Sequence, residues 1–145
     1  MSASTFVYVT YIRTSAEELW SALIGPEFTK KYWFGFHQES DWKAGSSWKL
    51  VHPDGRTADA GEIVEINPPR RLVLKWRNEF RPEMKTEGFS RCVVEIEPVG
   101  EAVKLTITHA IDRDQSKFID AVSGGWPRIL SNLKSLLETG RIVLT

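Results

Sequence analysis

The chain has 145 residues, with nineteen Lys plus Arg against nineteen Asp plus Glu and a formal net charge of zero. That length suits a single domain, 1-145, which buries on the order of 70% of its unfolded surface without metal or disulfide support. The charge balance removes the long-range attraction that draws proteins to nucleic acid or anionic membranes, and no run reaches the roughly 18 apolar residues of a membrane span.

The N-terminal Met1-Ser2-Ala3-Ser4-Thr5 has no basic segment followed by an apolar one, so cytoplasmic residence is the expectation. Thr5 to Arg13 alternates and is rich in β-branched and aromatic residues, which predicts a first strand. Ser15-Ala-Glu-Glu18 reads as a capping box: the Ser15 hydroxyl accepts from an early helical N–H while Glu18 reaches back to the cap. The helix it starts carries Ala16, Leu19, Trp20 and Leu23 on its inner face. Gly25-Pro26 ends it, and Pro26 opens a second short helix through Tyr32 or Trp33.

From Phe36 the period falls to two. Strands are predicted near Phe36 to Asp41, Ser47 to His52, Thr57 to Ile66, Arg71 to Arg77, Phe89 to Glu97 and Val103 to Ala110, about seven with the first. Pro53-Asp54-Gly55 supplies a hairpin turn, with Pro fixing φ and Gly taking the left-handed position. Leu72, Leu74 and Trp76 share one strand face opposite Arg71, Val73, Lys75 and Arg77, and Val103, Leu105, Ile107 and His109 share another. These strands read as half buried, one face dry and one wet. Cys92, the only cysteine, reads as a small buried apolar residue. Asn78 to Gly88 lacks periodicity and mixes charges with Phe80, Pro82 and Met84, the pattern of a mobile rim loop that gates a site.

Gln115 to Val122 has helical spacing, and Gly124-Gly125 then predicts a break before the main helix, Trp126 to Thr139, about 21 Å long. Trp126, Ile129, Leu130, Leu133, Leu136 and Leu137 recur every three or four residues and form one apolar stripe. A curved sheet is the partner that stripe requires, and a long helix laid over a concave sheet encloses a space.

The order of elements resembles the helix-grip fold of START lipid-transfer domains, the major birch pollen allergen and polyketide cyclases. More closely, the chain resembles small single-domain relatives of the heat-shock protein 90 ATPase activator. The residues that carry the likeness are Thr14 to Leu23 after strand one, Gly61-Glu-Ile-Val-Glu-Ile-Asn-Pro-Pro-Arg-Arg-Leu-Val-Leu-Lys-Trp76, and Gly125-Trp126 through Leu130, Leu133, Leu137 and Glu138. The resemblance implies an α+β helix-grip fold. Its parts are a curved seven-stranded antiparallel sheet, two short helices after strand one, and a long C-terminal helix across the concave face. It also implies a small apolar or aromatic ligand, with two alternatives: a co-chaperone-like module that engages a chaperone, or a polyketide cyclase- or aromatase-like enzyme. The 145 residues hold no counterpart of the additional N-terminal domain with which the eukaryotic activator engages the chaperone. A monomer and a weak dimer are both open.

Six Trp, seven Phe and three Tyr are many for this length, and such rings suit either a ligand-facing wall or a core of large residues. In the resembled fold, Trp33, Phe36, Trp48, Trp76, Phe80, Phe89 and Trp126 fall at places that line or border the cavity, and Leu130 follows on the helical stripe. His109 lies on the face turned toward that space. It reads first as a satisfied histidine at a strand end, and second as a polar anchor or proton carrier, with Arg91 as another candidate to orient a polar group. His37, His52 and His109 lack metal-ligand spacing, and no nucleophile elbow, phosphate loop or dinucleotide fingerprint is present, so neither metal nor cofactor is expected.

Overall fold

A computed structural model of the chain describes residues 3–145. Met1 and Ser2, part of the segment read above for a leader, lie outside the described residues. Strand β1 (Ser4–Ile12) turns Phe6, Tyr8, Thr10 and Ile12 inward, while Val7, Val9 and Tyr11 are exposed on the outer face. Helix α1 (Ala16–Ile24) starts at Ser15, whose Oγ accepts from the Glu18 N–H at 3.1 Å. Glu18 does not complete the expected capping box. Its carboxylate accepts instead from the Thr14 hydroxyl at 2.9 Å. Gly25 closes α1, its N–H reaching Ser21 O at 2.8 Å, and Pro26 opens α2 (Pro26–Tyr32), where a missing N–H costs nothing.

Six further strands follow: β2 (His37–Ser40), β3 (Ser47–Val51), β4 (Thr57–Asn67), β5 (Arg71–Asn78), β6 (Ser90–Val99) and β7 (Ala102–Ile111). They form one antiparallel sheet in the order β1-β7-β6-β5-β4-β3-β2, so β1 and β2 are its edges. Irregular register between Leu50 and Val51 and between Ile63 and Glu65 bends the sheet. Gly61 pairs with Trp48 on one side and Trp76 on the other, and a Cβ there would meet Lys75 O at 1.7 Å. Only glycine lets the backbones approach so closely. Val73, expected on the wet face, is fully buried. Its strand is the central one, and the paired residues Val93 on β6 and Glu65 on β4 flank it.

The Asn78 to Gly88 segment is not a free loop. It contains a one-turn helix, α3 (Pro82–Lys85), with Met84 buried beneath it. Asn78 Oδ1 accepts from the N–H groups of Phe80 and Arg81 at 3.0 and 2.8 Å, and Glu79 is held by Arg77 and Lys85. Glu87 then caps the next helix: its carboxylate accepts from Ser116 Oγ at 2.6 Å and from the Lys117 N–H at 2.8 Å.

That helix, α4 (Lys117–Thr139), is a single 23-residue rod of about 34 Å that runs through Gly124-Gly125 and Pro127. The predicted break is absent because burial outweighs propensity: Phe118 and Ile119 before the glycines, and Trp126, Leu130 and Leu133 after them, all seat on the core. Two residues without Cβ also give slack to the turn that the Pro127 ring crowds. Gly140 ends the helix in the left-handed region at φ 82°. The result is α+β: α4 lies across the concave face of the seven-stranded sheet, with α1 and α2 after β1.

Candidate functional site: an aromatic pocket at the mouth of the grip

Trp76 stands at the middle of the concave face because β5 is the central strand and its even-numbered residues point inward. Around its ring gather Trp48 from β3 at 4.6 Å, His109 from β7 at 5.0 Å, Trp126 from α4 at 5.7 Å and Trp33 from the end of α2 at 6.1 Å between centroids. Trp33 and Trp126 are themselves 5.4 Å apart. This convergence fills the space beneath the middle of α4. The void left there, beside Leu130, Tyr32, Gln38 and Cys92, measures about 20 Å³, roughly one water. Beneath the middle of α4, the space expected between helix and sheet is therefore filled by packed rings.

Room remains at one end. A pocket of about 170 Å³ opens between the first half of α4, α3 and strands β3 to β5. Trp33, Trp76 and Trp126 line it together with Met84, Phe118 and Val122. Asp59 and Asn78 supply the polar part of the wall, and among the described residues Asp59 is the only charged one that lines it.

Asp59 lies on β4, 6% exposed, two residues before Gly61 and four before the buried Ile63. Its Oδ2 accepts from the Trp76 indole N–H, and Asn78 Nδ2 approaches Oδ1 at 3.4 Å. Burial pushes its carboxyl up to about 6; the indole bond draws it down, and the Glu79 carboxylate nearby adds to the rise. Among the described residues no Lys, Arg or His pairs with it within 4.0 Å.

His109 is fully buried behind the pocket. Nδ1 accepts from the Trp126 indole at 3.1 Å, which assigns the proton to Nε2, and Nε2 donates to Ser90 Oγ at 2.9 Å. Ser90 Oγ in turn donates to Trp76 O at 2.8 Å. Desolvation holds the imidazole down to about 3, so at neutral pH it is an uncharged link between α4, β7, β6 and β5. A second link joins α1 to the sheet: Trp48 Nε1 donates to Gln38 Oε1 at 3.0 Å, and Gln38 Nε2 donates to Leu23 O at 2.6 Å.

The structure distributes the remaining candidates. Trp48 lies deeper, beneath Trp76, and Leu130 borders the small void. Phe36 packs its edge on His52 at 5.0 Å, away from the pocket. Phe80 and Phe89 are partly exposed and lie beneath the Arg56 and Arg77 guanidinium groups at 4.6 and 4.7 Å. Arg91 is exposed on the face of β6 opposite the buried Cys92 and does not reach the pocket. Asp59, Asn78, Met84 and Phe118 were not anticipated as lining. For Asp59 the signal was present, since strand alternation from Ile63 through Gly61 turns it inward.

Among the described residues no group of three or more His, Cys, Asp or Glu could hold a metal ion, and no helix is long and apolar enough to cross a membrane.

Solved structures share this architecture. CalU16 from Micromonospora echinospora superposes with a TM-score of 0.75 at 22% identity, covering 95% of this chain and 78% of that one. An HSP90 activator from Plasmodium falciparum gives 0.75 at 23% identity, over 92% and 96% of the two chains. The Aha1 dimer from Colwellia psychrerythraea gives 0.76 at 18% identity, over 94% and 98%. No curated protein matches the sequence. With the grip, its α4 and its sheet in place, and with residues 13–138 matched, the chain belongs to the family described as Activator of Hsp90 ATPase homolog 1-like protein.

Proposed function

We propose that the protein binds a small apolar or aromatic molecule in the pocket between α3, the start of α4 and strands β3 to β5. The observation that carries this reading is a space of about 170 Å³ walled by three tryptophans, with a single acid to orient whatever enters. Apolar contact supplies most of the affinity in such a site, and one or two polar groups supply orientation. The volume limits the guest to roughly one or two rings. A thermal-shift panel of small aromatic, terpenoid and polyketide-like compounds tests it. A ligand at a hundred times its dissociation constant adds about 2.7 kcal/mol of stability. Ala121→Phe, which fills the rim, should abolish the shift while the variant stays folded. A broad panel with no shift counts against the reading.

A second reading, a chaperone-engaging module, draws on the family and on the exposed Val7, Val9 and Tyr11 of edge strand β1. Here the binding surface is the outer face of the sheet at β1, rather than the pocket, and the same surface would serve self-association. Stimulation of a heat-shock protein 90 ATPase that is lost in Val7→Lys/Val9→Glu supports it, and unchanged turnover on adding the protein opposes it. A cyclase- or aromatase-like reaction would have to run on Asp59, since both ring nitrogens of His109 are already engaged.

A further inference from the structure

We propose that the ligand of this pocket is an organic cation, a protonated amine on an alkyl or aromatic body, whose charged head sits against Asp59. The inference rests on the pocket reading above and specifies its ligand class.

Three observations carry it. Among the described residues Asp59 is the only charged one lining the pocket. It is almost fully buried, yet its two hydrogen-bond partners are neutral donors, the Trp76 indole and, at the 3.4 Å limit, the Asn78 amide. A carboxylate offers about four acceptor positions, so two remain for a guest. A buried carboxylate without a cationic partner is costly, and a cation seated against it relieves that cost where a neutral guest cannot.

The rest of the wall favours the same choice. Trp33, Trp76 and Trp126 present electron-rich rings, which attract a cation and repel an anion. The neighbouring charges leave the opening to Asp59. Glu79 is neutralised by Arg77 and Lys85, both of which lie off the pocket wall, while Leu50 from β3 and Phe118, Val122 and Ile129 from α4 are uncharged. Arg77, which lies on β5 between the lining residues Trp76 and Asn78, is committed to Glu79 through two hydrogen bonds.

The test uses three probes of one ring size: benzylamine, benzyl alcohol and benzoate. Each is titrated into the full chain at about pH 7.5 while the Trp76 indole N–H resonance is followed. The expected result is at least about tenfold tighter binding of the amine than of the alcohol, with benzoate weakest. That preference collapses in Asp59→Asn. It also collapses in the unaltered protein at about pH 5, where Asp59 is mostly protonated; this arm needs no variant to fold. An alcohol bound as tightly as the amine at about pH 7.5, or a preference kept in Asp59→Asn, overturns the inference and leaves the pocket reading standing. Binding by none of the three overturns both.

Discussion

The indole N–H of Trp126 donates to Nδ1 of His109 across 3.1 Å, and this bond joins the long helix to the next-to-edge strand β7 through the centre of the core. Neither group has another side-chain donor or acceptor to turn to, because both are buried. Trp126→Phe keeps most of the ring and removes the donor, leaving Nδ1 dry and unpaired. The expected cost is about 1–3 kcal/mol in urea unfolding, and Trp126→Ala raises it to about 3–5 kcal/mol by adding a cavity. An unchanged midpoint in Trp126→Phe would show that the bond contributes nothing.

Two buried titrating groups act on stability in opposite directions. Unfolded, His109 takes up its proton near 6.5, whereas folded it does so only near 3. Its contribution is complete above about pH 6.5 and is lost as pH falls toward 3. Asp59 has the opposite sign: folded, it keeps its proton up to about 6, and unfolded it releases it near 3.8. Its contribution is present below about pH 3.8 and lost as pH rises through 6. Asp59→Asn should therefore raise stability at neutral pH by on the order of 2 kcal/mol, with the gain vanishing near pH 4. Chemical denaturation across that range checks it, and a gain independent of pH would assign the effect to something other than ionisation.

Gly124 sits in the interior of α4, and a Cβ there would meet nothing within 4 Å. Gly124→Ala should stabilise by about 0.5–1 kcal/mol, through helix propensity and a less free unfolded chain. Melting temperature is sufficient as readout. A destabilised variant would mean that the helix needs the freedom of that glycine after all.

At Gly61 the outcome reverses. A methyl group would stand 1.7 Å from Lys75 O, a backbone atom of the central strand that cannot swing aside. Gly61→Ala should cost more than about 2 kcal/mol and broaden the Trp48 and Trp76 indole resonances on either side. A variant as stable as the parent would show that β4 and β5 can separate at this point.

The sequence carried the fold through local signals. Alternation placed the seven strands to within one or two residues at most ends, and Ser15, Gly25 and Pro26 marked where the first helices begin and end. Propensity misled at Gly124-Gly125, because the apolar residues on both sides seat the rod and local cost is overridden by packing. Composition misled at Asn78 to Gly88, since its polar residues are spent on hydrogen bonds that pin the segment. The pocket was legible only in part. Trp33, Trp76 and Trp126 could be placed on inward faces, but their mutual distances, which decide between a hollow and a filled core, depend on how three elements converge. Asp59 was hidden by its company: acids on β4 such as Glu62 and Glu65 look solvent-facing, and while parity from Ile63 separates Asp59 from Glu62, only the irregular register between Ile63 and Glu65 turns Glu65 to the other face.

The first turn of α4 borrows its acceptor from Glu87, a side chain of the same stretch that forms the pocket rim. Swinging that stretch outward strips the Ser116 hydroxyl and the Lys117 amide of their partner in a single movement. On the pocket reading proposed above, entry of a guest past that stretch is coupled to fraying of the rod's leading end, and a bound guest stiffens the helix start twice over, by holding Glu87 in place and by contact with Phe118, Ala121 and Val122.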